Sequence, residues 1–285
     1  MNMMQNTGKS KTESLMKAST SNYKCNKCKD TTWIMNEEGK VTGRCECYKR
    51  DLLERVWNNF GVKPEDRKKI KDYITENDLT KAAKKKAIDY VINFKDLGEN
   101  NCFGLLGQSG AGKSHLSIAM GVALIERGYK VIYMPYIEAM RELKANVLDD
   151  EYYINLQNRY MKAEVLIIDD LFKDKFKKNA LVKELTEADM KHFYPILNYR
   201  YINHLPTIFS TECDIDMLLD LDEALAGRII ESCGTNITVF KGREYNYRLR
   251  NLQNLWIFYY KHGYKYNNDI HYSFKTHENT FIRWL

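Results

Sequence analysis

The stretch with the clearest chemistry is a glycine-rich segment that reads Gly107-Gln-Ser-Gly-Ala-Gly-Lys-Ser114. It fits the phosphate-binding loop pattern G-x-x-x-x-G-K-[ST], in which glycines let consecutive backbone N–H groups turn towards a triphosphate. We expect Lys113 to reach the β- and γ-phosphates and the Ser114 hydroxyl to bind Mg²⁺. The segment therefore predicts a nucleotide site, and the alternative is an ordinary glycine-rich turn.

Two carboxylates follow an apolar run further along the chain, in the segment Val165-Leu-Ile-Ile-Asp-Asp170. In enzymes with a phosphate-binding loop, a buried parallel strand delivers an acidic residue beside the Mg²⁺ ion. We expect Asp169 to hold the metal through water, and Asp170 to orient or deprotonate the attacking water. Taken alone, the run could be any strand that ends in a turn, but its distance behind the loop favours the functional interpretation.

Four cysteines near the N-terminus form two close pairs, Cys25 with Cys28 and Cys45 with Cys47, separated by sixteen residues. Strand-forming residues on either side of a turn at residues 36–39 predict a hairpin that brings both pairs to one end. Four thiolates can then surround one Zn²⁺ ion tetrahedrally. A closed shell leaves no position for water, so the metal would be structural, and the alternative is four free thiols.

The elements that must position these groups alternate between strands and helices. An apolar run over residues 102–106 predicts a buried strand that leads into the loop, and residues 114–127 have the periodicity of a helix that leads out of it. Further strands are predicted over residues 130–134, 165–170, 207–211 and 236–240. This alternation predicts an α/β fold with a parallel sheet and helices on both faces, whose ligand lies at the carboxyl ends of the strands.

Three helices are predicted between the cysteines and the first strand of this sheet, over residues 48–60, 64–73 and 80–94. The third carries lysines along one face. They are Lys81, Lys84, Lys85 and Lys86. A run of this kind is usually a solvated helix face, and the alternative is a contact with a nucleic-acid phosphate backbone.

Composition divides the chain into five predicted segments. Residues 1–22 are polar without an apolar period, which predicts a disordered tail. A zinc-binding module with its following helix is predicted over 23–60, a helical linker over 61–99, and the nucleotide-binding domain over 100–250. Residues 251–285 form a C-terminal extension that we interpret as an incidental extension or a packing segment; the alternative is that its basic and aromatic composition suits single-stranded nucleic acid.

The overall composition limits the class of protein. The chain has 285 residues, 44% of them hydrophobic, which is enough for a core. We expect no transmembrane helix, because no apolar stretch reaches eighteen residues. The N-terminus lacks the apolar region of a signal peptide, and the number of cysteines, seven, is odd. Together these features predict a cytoplasmic protein without disulfides. The net charge of +6 arises within residues 1–100 and supports nucleic-acid contact only weakly.

Several motifs together resemble a known family. After the loop and the acidic run come Pro206-Thr-Ile-Phe-Ser-Thr-Glu212, Gly227-Arg-Ile and Asn246-Tyr-Arg-Leu. This order resembles that of bacterial helicase loaders of the DnaC/DnaI type within the AAA+ ATPases. The cysteine module resembles the zinc-bearing N-terminal region of phage and Gram-positive-type members, so the resemblance covers about residues 23–250.

This resemblance implies an AAA+ ATPase that uses ATP, Mg²⁺ and Zn²⁺. Such a protein holds the hexameric replicative helicase and helps to deposit it on single-stranded DNA during the initiation of replication. In that family the zinc-bearing region grips the helicase, and the AAA+ part binds ATP and can contact single-stranded DNA.

The resemblance also implies roles for single residues. Arg228 matches the arginine finger, which acts in trans on a neighbouring subunit's ATP and implies self-association; the alternative is a surface salt bridge. Glu212 falls at the polar sensor position, which is usually Asn in AAA+ proteins, and Arg248 is the candidate second sensor. The predicted nucleotide contacts are Gly107, Gln108, Ser109, Gly110, Ala111, Gly112, Lys113, Ser114, His115, Glu212 and Arg248.

Three other functions stay open at this point. The first is an IstB-like helper ATPase of DNA transposition, which acts with a transposase on duplex DNA; the cysteine module favours the loader. The second is a small-molecule kinase or another metabolic nucleotide enzyme, for which no arginine-rich lid or acceptor pocket can be identified. The third is a zinc-stapled nucleic-acid-binding protein that binds ATP without hydrolysing it.

Overall fold

The computed structural model describes residues 23–177 and 180–249, which divide into two compact units between Arg55 and Val56. The tail predicted over 1–22 and the extension predicted over 251–285 lie outside the described residues. Within the part of the chain that is described, no helix is both long enough and apolar enough to cross a membrane.

The first unit contains a short antiparallel hairpin that precedes a helix. Strand β1 (Trp33–Met35) pairs with β2 (Val41–Arg44), as the sequence predicted. Helix α1 (Glu46–Phe60) begins immediately after the third cysteine of the module. The helix therefore begins two residues before its predicted start, and Cys47 lies in its first turn.

The second unit contains a five-stranded parallel sheet. Its strands are β3 (Phe103–Gly107), β4 (Val131–Pro135), β5 (Val165–Leu171), β8 (Thr207–Thr211) and β9 (Ile237–Phe240). Their spatial order is β4-β5-β8-β3-β9, and every pairing is parallel. The carboxyl ends of β3, β5 and β8 therefore meet at one edge, where a ligand is expected in such sheets.

Helices cover both faces of this sheet and enclose two apolar cores. Helices α2 (Asp78–Ile92) and α3 (Lys113–Glu126) contribute to one core, together with Phe60. The other core is formed with α4 (Tyr136–Ala145), α5 (Asp150–Met161), α6 (Glu187–Ile202), α7 (Ile215–Leu221) and α8 (Glu223–Cys233). The three inner strands, β3, β5 and β8, are buried on both faces, as is usual in parallel sheets.

The prediction of a helix over residues 64–73 is wrong. Two separate 3₁₀ turns, Pro64–Asp66 and Ile70–Asp72, stand in its place, with extended backbone between them. Apolar residues are too sparse in this stretch to give a helix a buried stripe. The segment is held by single contacts instead, such as the guanidinium of Arg67, which lies 4.2 Å from the ring centroid of Trp57.

Helix α6 begins at Glu187, because Thr186 caps it. The Thr186 hydroxyl accepts from the backbone N–H of Asp189, and the Asp189 carboxylate accepts from the backbone N–H of Thr186. Before this cap, in a basic stretch around residues 173–178, β6 (Phe176–Lys177) and β7 (Ala180–Leu181) form a short antiparallel hairpin with two residues in each strand. Lys178, in the same basic stretch, lies outside the described residues.

The lysines of α2 do more than face solvent. The ammonium of Lys84 donates to the carbonyls of Lys71 and Tyr73, each at 2.9 Å. The ammonium of Lys86 donates to the carbonyls of Thr235 and Ile237, also at 2.9 Å. These two lysines therefore connect α2 to the 3₁₀ turn that ends at Asp72 and to the start of β9.

Candidate functional site

The phosphate-binding loop leaves the carboxyl end of β3 and enters α3, as the sequence predicted. Gly107, Gly110 and Gly112 have φ angles of 94°, 77° and 80°, a region that side chains rarely adopt. A Cβ atom on Gly107 would lie 2.3 Å from the Phe240 carbonyl oxygen, and one on Gly112 would lie 2.7 Å from the Tyr73 ring. The glycines therefore form a cradle that a side chain would fill, and such a cradle fits a polyphosphate.

A cleft of ≈ 360 Å³ opens above this loop, and its size is within the range of small-molecule sites. The loop lines it from Ser109 to His115. The structure brings the predicted residues Asp170, Glu212 and Arg248 to the same cleft. Arg228 is not among the residues that line it.

Lys113 is folded back onto its own loop. Its side chain is buried, and Nζ donates to the carbonyl oxygens of Gly107 (2.7 Å) and Gln108 (2.8 Å). Burial lowers the pKa of Lys113 to about 8, although nearby carboxylates oppose the shift. A negatively charged ligand beside this ammonium would compensate for its loss of solvent.

Asp169 is held by two hydroxyl groups from the strands on either side of β5. Tyr133 on β4 donates to Oδ2 at 2.7 Å, and Ser210 on β8 donates to Oδ1. Burial, together with the Asp169 charge, raises the pKa of Tyr133, which keeps this hydroxyl a donor. Neither residue was predicted from the sequence, where the only signal was a serine within the buried strand that precedes Glu212.

Asp170 lies where the pairing between β5 and β8 is interrupted, and its φ is 54°. Its carboxylate accepts from Lys173 Nζ at 2.6 Å, and the same nitrogen lies 3.8 Å from Glu212 Oε1. Partial burial lowers the pKa of Lys173, but the hydrogen bond and charge of Asp170 outweigh this effect and raise it above its ordinary value. No motif in the sequence indicated a role for Lys173 at the site.

Residues outside the loop hold it from two sides. The Tyr73 hydroxyl donates to the Ala111 carbonyl at 3.0 Å, and burial raises the pKa of Tyr73 to about 12. The backbone N–H of Tyr247 donates to the Gly110 carbonyl at 3.1 Å. Both tyrosines also line the cleft, so the segments before and after the sheet contribute to the nucleotide site.

Arg228 is half-buried and contacts residues of its own chain. Its guanidinium donates to the Ala224 carbonyl (2.8 Å) and to the Tyr194 hydroxyl (3.1 Å). It also lies over the rings of Tyr194 and Tyr201, at 5.4 and 5.6 Å from their centroids. Within residues 23–177 and 180–249 it makes no salt bridge, which was the alternative considered from the sequence.

The four cysteines of the first unit form one cluster, with sulfur atoms all within 4.8 Å of one another. Sγ of Cys25 lies 3.7 Å from that of Cys45, and Sγ of Cys28 lies 3.4 Å from that of Cys47. Tetrahedral Zn–S bonds separate sulfurs by about 3.8 Å, so these residues fit a Zn²⁺ ion. The backbone N–H of Cys28 lowers the pKa of the Cys25 thiol to about 7, whereas the side-chain hydrogen bond with Cys28 raises that of Cys47.

Residues 56–239 match the family model described as IstB-like ATP binding protein. The uncharacterized protein YqaM of Bacillus subtilis (strain 168) is 37% identical over 214 residues, which are 72% of this chain and 66% of YqaM. The chain therefore spans slightly less than two thirds of that relative. The phage-like element PBSX protein XkdC of the same organism is 33% identical over 243 residues, which are 82% of this chain and 89% of XkdC.

A solved structure shares the fold of the second unit. The crystal structure of the DnaC helicase loader superimposes with a TM-score of 0.51 at 22% identity, covering 66% of this chain and 99% of that chain. Together with the strand order, this likeness confirms the predicted AAA+ sheet with helices on both faces.

Proposed function

The chain belongs to the family of IstB-like ATP-binding proteins, and from that premise we propose that it is an ATPase that loads a replicative DNA helicase onto single-stranded DNA. The observation that carries the proposal is the cysteine-clustered unit that precedes the ATPase unit. A separate unit that a metal ion on its four cysteines would stabilise offers a protein-binding surface outside the nucleotide cleft. The similarity of the fold to a helicase loader is consistent with that use.

The surface of the first unit supports a role in protein binding. Met35 and Val41 lie opposite each other in the hairpin and are 54% and 55% exposed. Trp33, two residues before Met35 on the same face of β1, is also exposed, and the Arg44 guanidinium lies 3.4 Å from its ring centroid. Neighbouring exposed apolar and aromatic residues on so small a unit are typical of a protein interface.

At the cleft, we assign each group one task. Lys113 would leave the two loop carbonyls and donate to the β- and γ-phosphates of ATP. Ser114 would bind Mg²⁺ directly and Asp169 through water, because both Asp169 oxygens already accept hydrogen bonds. Asp170 would orient the attacking water. Bound ATP and Mg²⁺ would supply the phosphoanhydride and the Lewis acid.

Three further residues complete the proposal. Glu212 and Arg248 line the cleft and would respond to the γ-phosphate. Arg228, which lies outside the cleft, would act on ATP bound by a neighbouring subunit, and this requires self-association or assembly on the helicase. The contact with single-stranded DNA is also part of the proposal.

The first test is size exclusion with mass detection of the protein mixed with the replicative helicase of the organism that encodes it, with ATP and Mg²⁺. We expect a co-eluting ring complex that is lost in the variant Cys25→Ser/Cys28→Ser and retained in Cys233→Ala, whose thiol lies in the other unit. A protein that forms no complex and whose ATP turnover is stimulated by duplex DNA would instead be a transposition helper. Absence of ATP turnover under all these conditions would exclude both functions.

A further inference from the structure

Lys173 lies in the nucleotide cleft among carboxylates. Its ammonium is 2.6 Å from an Asp170 oxygen and 3.8 Å from a Glu212 oxygen. All three residues line the same cleft as the phosphate-binding loop. Because the Lys173 side chain is 47% exposed and has flexible methylenes, it can change partners without unfolding its turn.

Two buried anchors fix the turn that carries Lys173. On one side, Phe172 packs edge-to-face against the rings of Tyr136 and Phe193, with centroids 5.4 and 5.5 Å apart. On the other side, the buried ammonium of Lys175 donates to the Asp189 carboxylate at 2.5 Å. The backbone at residue 173 is therefore held in place, and its side chain is directed to Asp170.

The charge of the cleft gives this lysine a task. Three carboxylates (Asp169, Asp170 and Glu212) contribute to the electrostatic field at Lys113, the ammonium of the phosphate-binding loop. An ionised glutamate can only accept hydrogen bonds, so Glu212 cannot donate one to a phosphate. Lys173 lies beside Glu212, and its ammonium group has three N–H donors that can bind a phosphate. A terminal phosphate entering here would be repelled by Asp170 and Glu212 and attracted by Lys173.

We propose that Lys173 changes partners during the nucleotide cycle. In the nucleotide-free cleft it pairs with Asp170, and when a nucleoside triphosphate binds it turns to the terminal phosphate and leaves the Asp170 carboxylate free to act on water. A diphosphate lacks the terminal phosphate, so Lys173 stays with Asp170. This inference rests on the proposed ATPase function and assigns to Lys173 the discrimination between ATP and ADP.

The test measures the affinities of a non-hydrolysable ATP analogue and of ADP by calorimetry, with Mg²⁺, on the full chain. Lys173→Gln removes the charge and keeps most of the length, and we expect it to weaken binding of the ATP analogue about tenfold, as for one charge-assisted hydrogen bond, while ADP affinity stays the same. Lys173→Arg should recover part of the loss. Lys183→Gln, an exposed lysine of the following segment, is the matched control and should change neither affinity.

A double-mutant cycle with Asp170 tests the exchange itself. Asp170→Asn removes the competing partner of Lys173, so it should tighten binding of the ATP analogue several-fold, and this gain should shrink in Asp170→Asn/Lys173→Gln. Additive effects in the cycle, or equal weakening of ATP analogue and ADP by Lys173→Gln, would overturn the inference and leave the ATPase proposal standing. A wild-type protein that binds neither nucleotide would overturn both.

Discussion

The Ser210 hydroxyl donates a hydrogen bond to the carboxylate of Asp169, the buried acid near the end of β5. The Ser210 hydroxyl oxygen also accepts a hydrogen bond from the backbone N–H of Asp170, at 3.1 Å. Because the pairing of β5 with β8 is interrupted between Ile168 and Leu171, this side chain connects the two strands where the regular ladder does not. One small residue therefore positions both carboxylate residues of the site.

Replacing this hydroxyl tests its role. Ser210→Ala should lower ATP turnover and Mg²⁺ affinity by about 10- to 100-fold, because residues that orient a metal-binding carboxylate have effects of that size. Magnesium titration of the turnover rate measures both. The control Ser232→Ala removes a hydroxyl that donates to the Arg228 carbonyl on α8, away from the cleft. An equal effect of the two variants would contradict the prediction.

Asp189 should make stability depend on pH. Although burial opposes the shift, hydrogen bonds from Lys144, Lys175 and Thr186 hold the pKa of Asp189 well below its usual range. A carboxylate with a lowered pKa in the folded state contributes stability above about pH 4, and this contribution is lost as the pH falls through its folded pKa.

The variant Asp189→Asn should therefore lower the free energy of unfolding at pH 7 by about 3 kcal/mol, because it leaves the Lys175 ammonium buried without this partner. Urea unfolding measures this change, and the difference from the wild type should narrow below about pH 4. Asp174→Asn removes a more exposed partner of Lys175, 3.0 Å away, and should change the stability by less than about 1 kcal/mol. A difference that persists unchanged into acid would contradict the assignment.

The lysines of α2 should differ in their effect on stability. Lys86 donates to two carbonyls next to and within β9, so Lys86→Ala should lower the free energy of unfolding by about 1–2 kcal/mol. Lys85, one residue earlier, is exposed, and Lys85→Ala should stay within about 0.5 kcal/mol of the wild type. Urea unfolding of the two variants measures both free energies. If Lys86→Ala and Lys85→Ala have equal free energies of unfolding, Lys86 is only a surface charge.

Arg228 should affect turnover only in an assembly. If it acts on a neighbouring subunit's ATP, Arg228→Ala should leave the turnover of the dilute protein unchanged. It should lower the turnover of the helicase-bound or self-associated form at least about tenfold. The measurement is the rate per subunit over a wide concentration series, with and without helicase. Rates that are independent of concentration and of helicase in the wild type would rule out action in trans.

The cysteine cluster should hold one zinc ion per chain, measured by elemental analysis of the purified protein. Cys28→Ser should lose the ion and the ordered structure of the first unit, because so small a unit depends on its metal for stability. Hydrogen exchange can measure the two units separately, and the amides of the second unit should keep their protection. Cys233→Ala should retain the zinc. A zinc-free wild-type protein with a protected first unit would contradict the prediction.

The sequence predicted the features that depend on local pattern. The glycine loop, the alternation of strands and helices and the cysteine spacing each lie within a short stretch, and the structure confirms the fold that they indicate. Ser210 and Tyr133 could not be predicted as partners of Asp169, because they meet it only through the order and register of β4, β5 and β8. The contact of Lys173 with Asp170 depends on left-handed backbone at Asp170 and Phe172, which the sequence does not signal with glycine.

The hydrogen bonds from Tyr73 to Ala111 and from Tyr247 to Gly110 have a thermodynamic consequence. A nucleotide that displaces these two loop carbonyls must strain or break contacts with the segments that precede and follow the parallel sheet along the chain. A partner that binds either segment and alters these contacts would change the affinity for the nucleotide. Because linkage is reciprocal, the nucleotide would change the affinity for that partner by the same factor. The carbonyls of Gly110 and Ala111 thus couple the binding of the nucleotide to the binding of any such partner.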